Sequence, residues 1–147
     1  MPRIPAGTKR PVAPRSGLAF AGANRRDGFG FLTGEQIAHL DLTGVGWVVL
    51  SACDTGLGDL RSGEGVVGLR HAFQRAGAST IIMSLWGADD GAARTFMRAL
   101  YTGRGAGLST AEAMRQAAST LLRFQRRNGR STHPYHWGGF VAAGGWN

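Results

Sequence analysis

Apolar residues along this chain fall into two patterns, short unbroken runs and stripes at helical spacing, and their succession predicts the fold. Residues 47–52, Trp47-Val48-Val49-Leu50-Ser51-Ala52, form a nearly continuous apolar run with β-branched members. Such a run suits a strand covered on both faces, as in a parallel sheet. Residues 80–86 repeat the pattern. Between them Val66, Leu69, Phe73 and Ala76 recur at helical spacing, and Gly77 is placed to stop that helix in a left-handed conformation. Over 92–101, Ala93, Phe96, Met97 and Leu100 share one side of a helix. A longer helix with Met114, Ala117, Ala118, Leu121 and Leu122 as its inner stripe opens at Ser109-Thr110-Ala111-Glu112, which has capping-box spacing. Thr33-Gly34-Glu35-Gln36 has that spacing too and opens a short helix over 34–40 that presents Ile37 and Leu40. Residues 18–21 and 137–143 read as further strands. From residue 47 the order strand, helix, strand, helix, helix, strand predicts an α/β layered fold with a mostly parallel central sheet flanked by helices.

In such a sheet the carboxyl ends of strands 47–52 and 80–86 lie on one edge, where open α/β sheets bind ligands. Cys53 follows the first strand and Asp89-Asp90 follow the second, so a thiol and two carboxylates distant in sequence share one crevice. Gly56 and Gly58 let backbone approach a substrate and help shape an oxyanion site. An unperturbed thiol has a pKa of about 8.5. Neighbouring Asp54 and Asp59 raise it when close, so a cysteine nucleophile here requires an imidazole partner. The alternative role for Cys53 is that of a small buried hydrophobe.

The 147 residues suffice for one ordinary core. Residues 1–15 hold four of the five prolines and no periodic apolar pattern, and read as a disordered or extended basic leader to a domain over 16–147. No apolar run approaches the ~20 residues of a membrane span, and no secretory block opens the chain. A single cysteine excludes an intramolecular disulfide framework and multi-cysteine metal centres, so the expected compartment is cytoplasmic. The net charge of +8 is divided unevenly. Residues 1–26 carry six basic groups and 113–147 carry five, with no acid in either segment, while 27–112 carry six against nine acids. Without interleaved aromatics or a reading motif, this is an arginine-rich solvated surface rather than a nucleic-acid site. Gly63-Glu64-Gly65-Val66-Val67-Gly68 matches a dinucleotide fingerprint in letters only. It does not follow its strand directly, and Glu64 would face the pyrophosphate. Cys53, His71, His133, His136 and the Asp89-Asp90 pair lack metal-ligand spacing. No cofactor or metal is expected.

The residues from Val48-Val49-Leu50-Ser51-Ala52-Cys53-Asp54-Thr55-Gly56-Leu57-Gly58 through Arg61-Ser62-Gly63-Glu64-Gly65-Val66 resemble the core of a CHAT domain. CHAT domains are caspase-like and separase-related, and are often attached to tetratricopeptide repeats. The likeness continues through Ala76-Gly77-Ala78, Ser84-Leu85-Trp86, Asp89-Asp90 and Leu108-Ser109-Thr110-Ala111-Glu112-Ala113, and closes on His133-Pro134-Tyr135-His136-Trp137 and Phe140. It covers roughly residues 16–147.

This resemblance implies a caspase-like layered fold and puts Cys53 on the nucleophile of a cysteine endopeptidase of bacterial type. The family's general base is a histidine in an Ala-Thr-His-Gly-like motif that ends an earlier strand, and no such motif precedes Cys53. The expectation is therefore an N-terminally truncated domain that holds half of a dyad and is inactive alone. A second polypeptide or an upstream segment would complete it. His39 is read as a surface or packing residue, His71 lies within the helix over 65–76 and would need a fold-back to face Cys53, and His133 and His136 are read as packing and turn chemistry. Asp54, Asp89 and Asp90 are candidate substrate-binding residues, with a protein or peptide carrying basic side chains as the partner. The rival reading is a non-catalytic interaction module that uses an exposed sheet edge.

Overall fold

The computed structural model describes residues 17–23, 30–50 and 65–146, with residues 65–67 as backbone only. Its elements in chain order are β1 (Gly17–Ala19), β2 (Phe31–Thr33), α1 (Gly34–Ala38), β3 (Trp47–Leu50) and α2 (Gly65–Arg75). These are followed by β4 (Thr80–Ser84), α3 (Asp90–Gly105), α4 (Thr110–Arg127), a 3-10 turn (Pro134–His136) and β5 (Phe140–Gly144). The result is a mixed α/β fold with two small sheets and four α-helices among the described residues.

β4 is buried along its whole length, as its unbroken apolar run requires. Successive residues of a strand point to opposite faces, and here each face has its own core. Ile81 and Met83 pack with Leu50, Ile37, Leu69, Ala72 and Phe73, on the α1/α2 side. Ile82 packs with Phe96, Leu100, Ala117, Leu121 and Phe140, on the α3/α4 side. The register agrees. Val48 lies opposite Ile81 in the first core, and Val49 lies opposite Ile82 in the second. β1 and β2 form a separate antiparallel hairpin whose Leu18 and Leu32 lean on the first core.

The expectation of a mostly parallel sheet is corrected. β3 and β4 are parallel, but β4 and β5 are antiparallel, with Ser84 opposite Phe140. The reason lies in the connections. Among the described residues one helix, α2, lies between β3 and β4 and returns the chain to the starting edge, so the second strand repeats the first direction. Two helices of 16 and 18 residues join β4 to β5. At 1.5 Å per residue they span about 24 and 27 Å, so the second cancels the excursion of the first. The chain re-enters the sheet at the edge it left.

The helix boundaries follow from local chemistry. Both predicted capping boxes form, at Thr33 with Gln36 and at Ser109 with Glu112. α2 ends as predicted at Gly77, whose φ is +103°. There the amides of Gly77 and Ala78 bond to the carbonyls of Gln74 and Phe73. Two details differ. Ile37 is fully buried but Leu40 is exposed, because α1 ends at Ala38, before the turn that would carry Leu40 inward. In α4 the most buried positions are Thr110, Ala113, Ala117, Leu121 and Gln125, so Met114, Ala118 and Leu122 flank the stripe.

The α4 box makes stability sensitive to acid. Glu112 accepts hydrogen bonds from the Ser109 hydroxyl at 2.8 Å and amide at 3.1 Å, which hold its carboxyl below the usual glutamate range. A depressed folded-state pKa stabilises the fold above the unfolded value, and that contribution fades as pH falls through the folded value. Protection factors of the amides at the start of α4, taken against the intrinsic exchange rate at each pH, are therefore expected to fall below pH 4.5. Glu112→Gln, which keeps the shape but cannot titrate, removes that acid step.

Candidate functional site

β3 and β4 run side by side with Leu50 opposite Met83, so both deliver their carboxyl ends to one edge of the sheet. Cys53, Asp54 and the glycine-rich segment to Glu64 lie outside the described residues. The other half of the predicted crevice is described. After β4 the chain passes Leu85 and Trp86 and reaches Asp89-Asp90 at the head of α3.

Asp89 is the N-cap of α3. Its Oδ1 accepts hydrogen bonds from the amides of Gly91 and Ala92, both at 3.0 Å. Those amides have no partner within the helix, and a carboxylate there also faces the positive end of the helix dipole. One carboxylate oxygen is thus committed to holding α3. Asp90 occupies the first helical turn, is exposed, and forms no ion pair among the described residues. The two neighbouring carboxylates have therefore separated in role. Asp89→Ala is expected to lower stability by about 1 kcal/mol in urea unfolding, and Asp90→Ala to change it by less than about 0.5 kcal/mol.

The same edge is walled by residues from the far end of the chain. Trp86 stacks on Tyr135 with centroids 5.5 Å apart and planes 9° from parallel, and its Nε1 donates to the Tyr135 carbonyl at 2.8 Å. The Leu85 amide donates to the Gly139 carbonyl. A Cβ on Gly139 would stand 3.0 Å from the Trp86 indole nitrogen, so a larger residue would have to push the ring aside by a few tenths of an ångström. His133 caps the 3-10 turn, its Nδ1 accepting from the Tyr135 amide at 3.2 Å. A ring nitrogen that accepts carries no proton, so the proton of neutral His133 lies on Nε2. His136 stands edge-on to Tyr135 at 5.5 Å. The sequence pointed to packing and turn chemistry for this segment but did not name Trp86 as its partner. The available signal was a proline followed within three residues by two large aromatic residues, Tyr135 and Trp137.

The remaining histidines sit elsewhere. His39 is exposed at the end of α1 with Nδ1 2.8 Å from the Glu35 carbonyl. His71 is exposed on α2. Among the described residues no cluster of three or more His, Cys, Asp or Glu has metal-binding geometry, and no helix is long and apolar enough to cross a membrane.

A parallel strand pair extended by an antiparallel third strand, with helices packed on both faces, makes this a mixed α/β domain. The family model for the CHAT domain matches residues 10–145, and the chain belongs to the CHAT domain family. It is similar to tetratricopeptide repeat protein 28 of Homo sapiens, with 31% identity over 81 residues, or 55% of this chain and 3% of that protein. It is also similar to tetratricopeptide repeat protein 28 of Mus musculus, with 29% identity over 113 residues, or 77% of this chain and 4% of that protein. The chain thus spans only a few per cent of the length of these curated relatives.

Proposed function

We propose that this CHAT domain supplies the nucleophile half of a caspase-like cysteine endopeptidase centre, with Cys53 as the attacking thiol and a histidine from polypeptide outside this sequence as its base. The base removes the thiol proton as sulfur attacks the peptide carbonyl, then returns it to the leaving amine. Water hydrolyses the thioester. Backbone amides beside Cys53 hold the oxyanion. The supporting observation is the parallel register of β3 and β4. β3 and β4 deliver their carboxyl ends to one edge, where such sheets bind ligands, and in the sequence Cys53 comes three residues after β3 and Asp89 five residues after β4. Asp90, exposed and without an ion pair among the described residues, and Asp54 favour a basic side chain in the substrate peptide.

The test is a protein that joins this chain to a strand bearing the missing histidine. An imidazole that brings the Cys53 pKa from about 8.5 to about 7 raises the thiolate fraction at pH 7 from roughly 3% to roughly half. Alkylation by iodoacetamide is then expected to run at least tenfold faster than that of free cysteine. Peptide cleavage is expected to favour Arg over Ala at the cut site and to vanish in Cys53→Ala. Alkylation no faster than that of free cysteine, with no cleavage, overturns the proposal.

That outcome favours the second reading, a non-catalytic interaction module. β3 is bonded to a described strand on one side only. Along Trp47 to Val49 such a strand is a template for an added strand.

A further inference from the structure

α3 and α4 pack as an antiparallel pair, joined by a short connection and brought close where Gly103 meets Ala113. Their inner faces cover the sheet. Their outer faces leave a groove of about 500 Å³. Its floor is partly apolar, with Ala99 from one helix and Phe124 from the other, both half-buried. Its rim is cationic. Arg94 and Arg98 stand one turn apart on α3, and across the groove Arg123 donates from Nη2 to the Thr120 hydroxyl at 3.1 Å. That bond ties Arg123, itself outside the lining, to the lining residue Thr120.

Residues 90–127 contain seven arginines and two acids, Asp90 and Glu112. Both acids lie in the first turns of their helices, and Glu112 is bonded to Ser109. No ion pair neutralises any of these arginines among the described residues, so the groove carries unbalanced positive charge over an apolar floor.

We infer that this groove docks an acidic amphipathic helix from a partner protein, independently of any chemistry at Cys53. The trough between two packed helices accepts the side-chain ridge of a third at 8–10 Å between axes. From Arg94 to Thr102 the α3 wall runs about 12 Å, enough for two turns of the incoming helix. Apolar residues at i and i+4 reach Ala99 and Phe124, while Asp or Glu on the flanks meets Arg94, Arg98 and Arg123. The compact apolar floor favours side chains over a nucleic-acid backbone, which would use the charge and leave Phe124 and Ala99 unfilled.

The test is fluorescence anisotropy with the full chain and a labelled 16-residue helical peptide carrying Leu at i, i+4, i+7 and i+11 and Glu at flanking positions. Saturable binding is expected at 50 mM salt, weakening at 300 mM. The exposed double change Arg94→Glu/Arg98→Glu is expected to weaken it at least tenfold, whereas Arg115→Glu, outside the groove, leaves it unchanged. A peptide with Lys in place of Glu does not bind, and one with Ser in place of Leu binds at least fivefold more weakly. Circular dichroism verifies that each variant keeps its helices. The inference is overturned by absence of saturation, by equal loss in Arg115→Glu, or by indifference to the Arg94/Arg98 change. It is also overturned if a 16-nucleotide single-stranded DNA binds more tightly than the peptide with the same dependence on Arg94 and Arg98.

Discussion

Replacing Phe96 with alanine is expected to cost about 3–5 kcal/mol of folding stability, a large share of the roughly 5–15 kcal/mol that holds a typical domain together. Phe96 is 1% exposed and lies where α3, α4 and the sheet meet. Its ring stacks on Phe140 with centroids 4.3 Å apart and planes 16° from parallel, and the same core holds Ile82, Leu100, Ala117 and Leu121. Truncation removes the ring's transfer energy and leaves a cavity that three rigid layers cannot close. It also removes the contact that pins the first residue of β5, the strand whose direction runs against its neighbour. Urea unfolding reads the loss directly. Phe96→Leu, which keeps most of the volume, is expected to recover all but about 1.5 kcal/mol. A loss below about 1 kcal/mol for the alanine variant would place this ring outside the core.

The second large effect is expected at Gly77, and a paired change separates its two causes. Gly77 and Gly107 both follow a helix with positive φ, +103° and +82°. A Cβ on Gly107 meets nothing within 4 Å, whereas one on Gly77 lies 3.0 Å from the Thr43 amide nitrogen and 3.3 Å from the Leu42 carbonyl carbon. Those backbone atoms are not free to move. The Leu42 amide bonds to the Ala76 carbonyl at 2.7 Å, and the Ser79 amide bonds to the Val45 carbonyl at 3.0 Å. Gly107→Ala therefore suffers backbone strain alone, about 1 kcal/mol. Gly77→Ala adds a collision with pinned backbone and is expected to reach about 2–3 kcal/mol. Equal losses in urea unfolding would show that the approach between Gly77 and the 42–43 segment is not enforced.

These two sites also show how much of the fold was legible along the chain. Gly77 was readable because a helix stop is local. The periodic residues Leu69, Phe73 and Ala76 end just before it, and the conformation needed next admits glycine readily. Both capping boxes were readable for the same reason, since three residues contain the whole device. Phe96 was readable as an inward residue of α3 from spacing alone. Its partner Phe140 was not, because their stacking depends on a return that passes through α4 and the 3-10 turn. The hairpin strand β2 was missed entirely. Three residues, Phe31–Thr33, are too short for a period of two to stand out, and the strand exists because Leu18 pairs with Leu32 across the hairpin.

At the candidate site the division is similar. The placement of Asp89-Asp90 after β4 followed from the strand pattern, but their separate roles did not. Asp89 faces the open amides of α3, and its neighbour one residue on faces solvent. The stack of Trp86 on Tyr135 joins residues 49 positions apart. No spacing rule reports such a contact.

The amino-acid order by itself determined which segments other than β2 are strands and helices, where α1 and α4 begin, where α2 stops, and membership of the CHAT family, because periodicity, caps and motifs act over a few residues. Only the tertiary structure decided the direction of β5, the burial of Ile37 without Leu40, the aromatic wall beside the sheet edge and the cationic groove over α3 and α4. The second follows from where α1 ends; the others depend on where the chain returns after a long excursion, and that is set by the lengths and packing of whole elements.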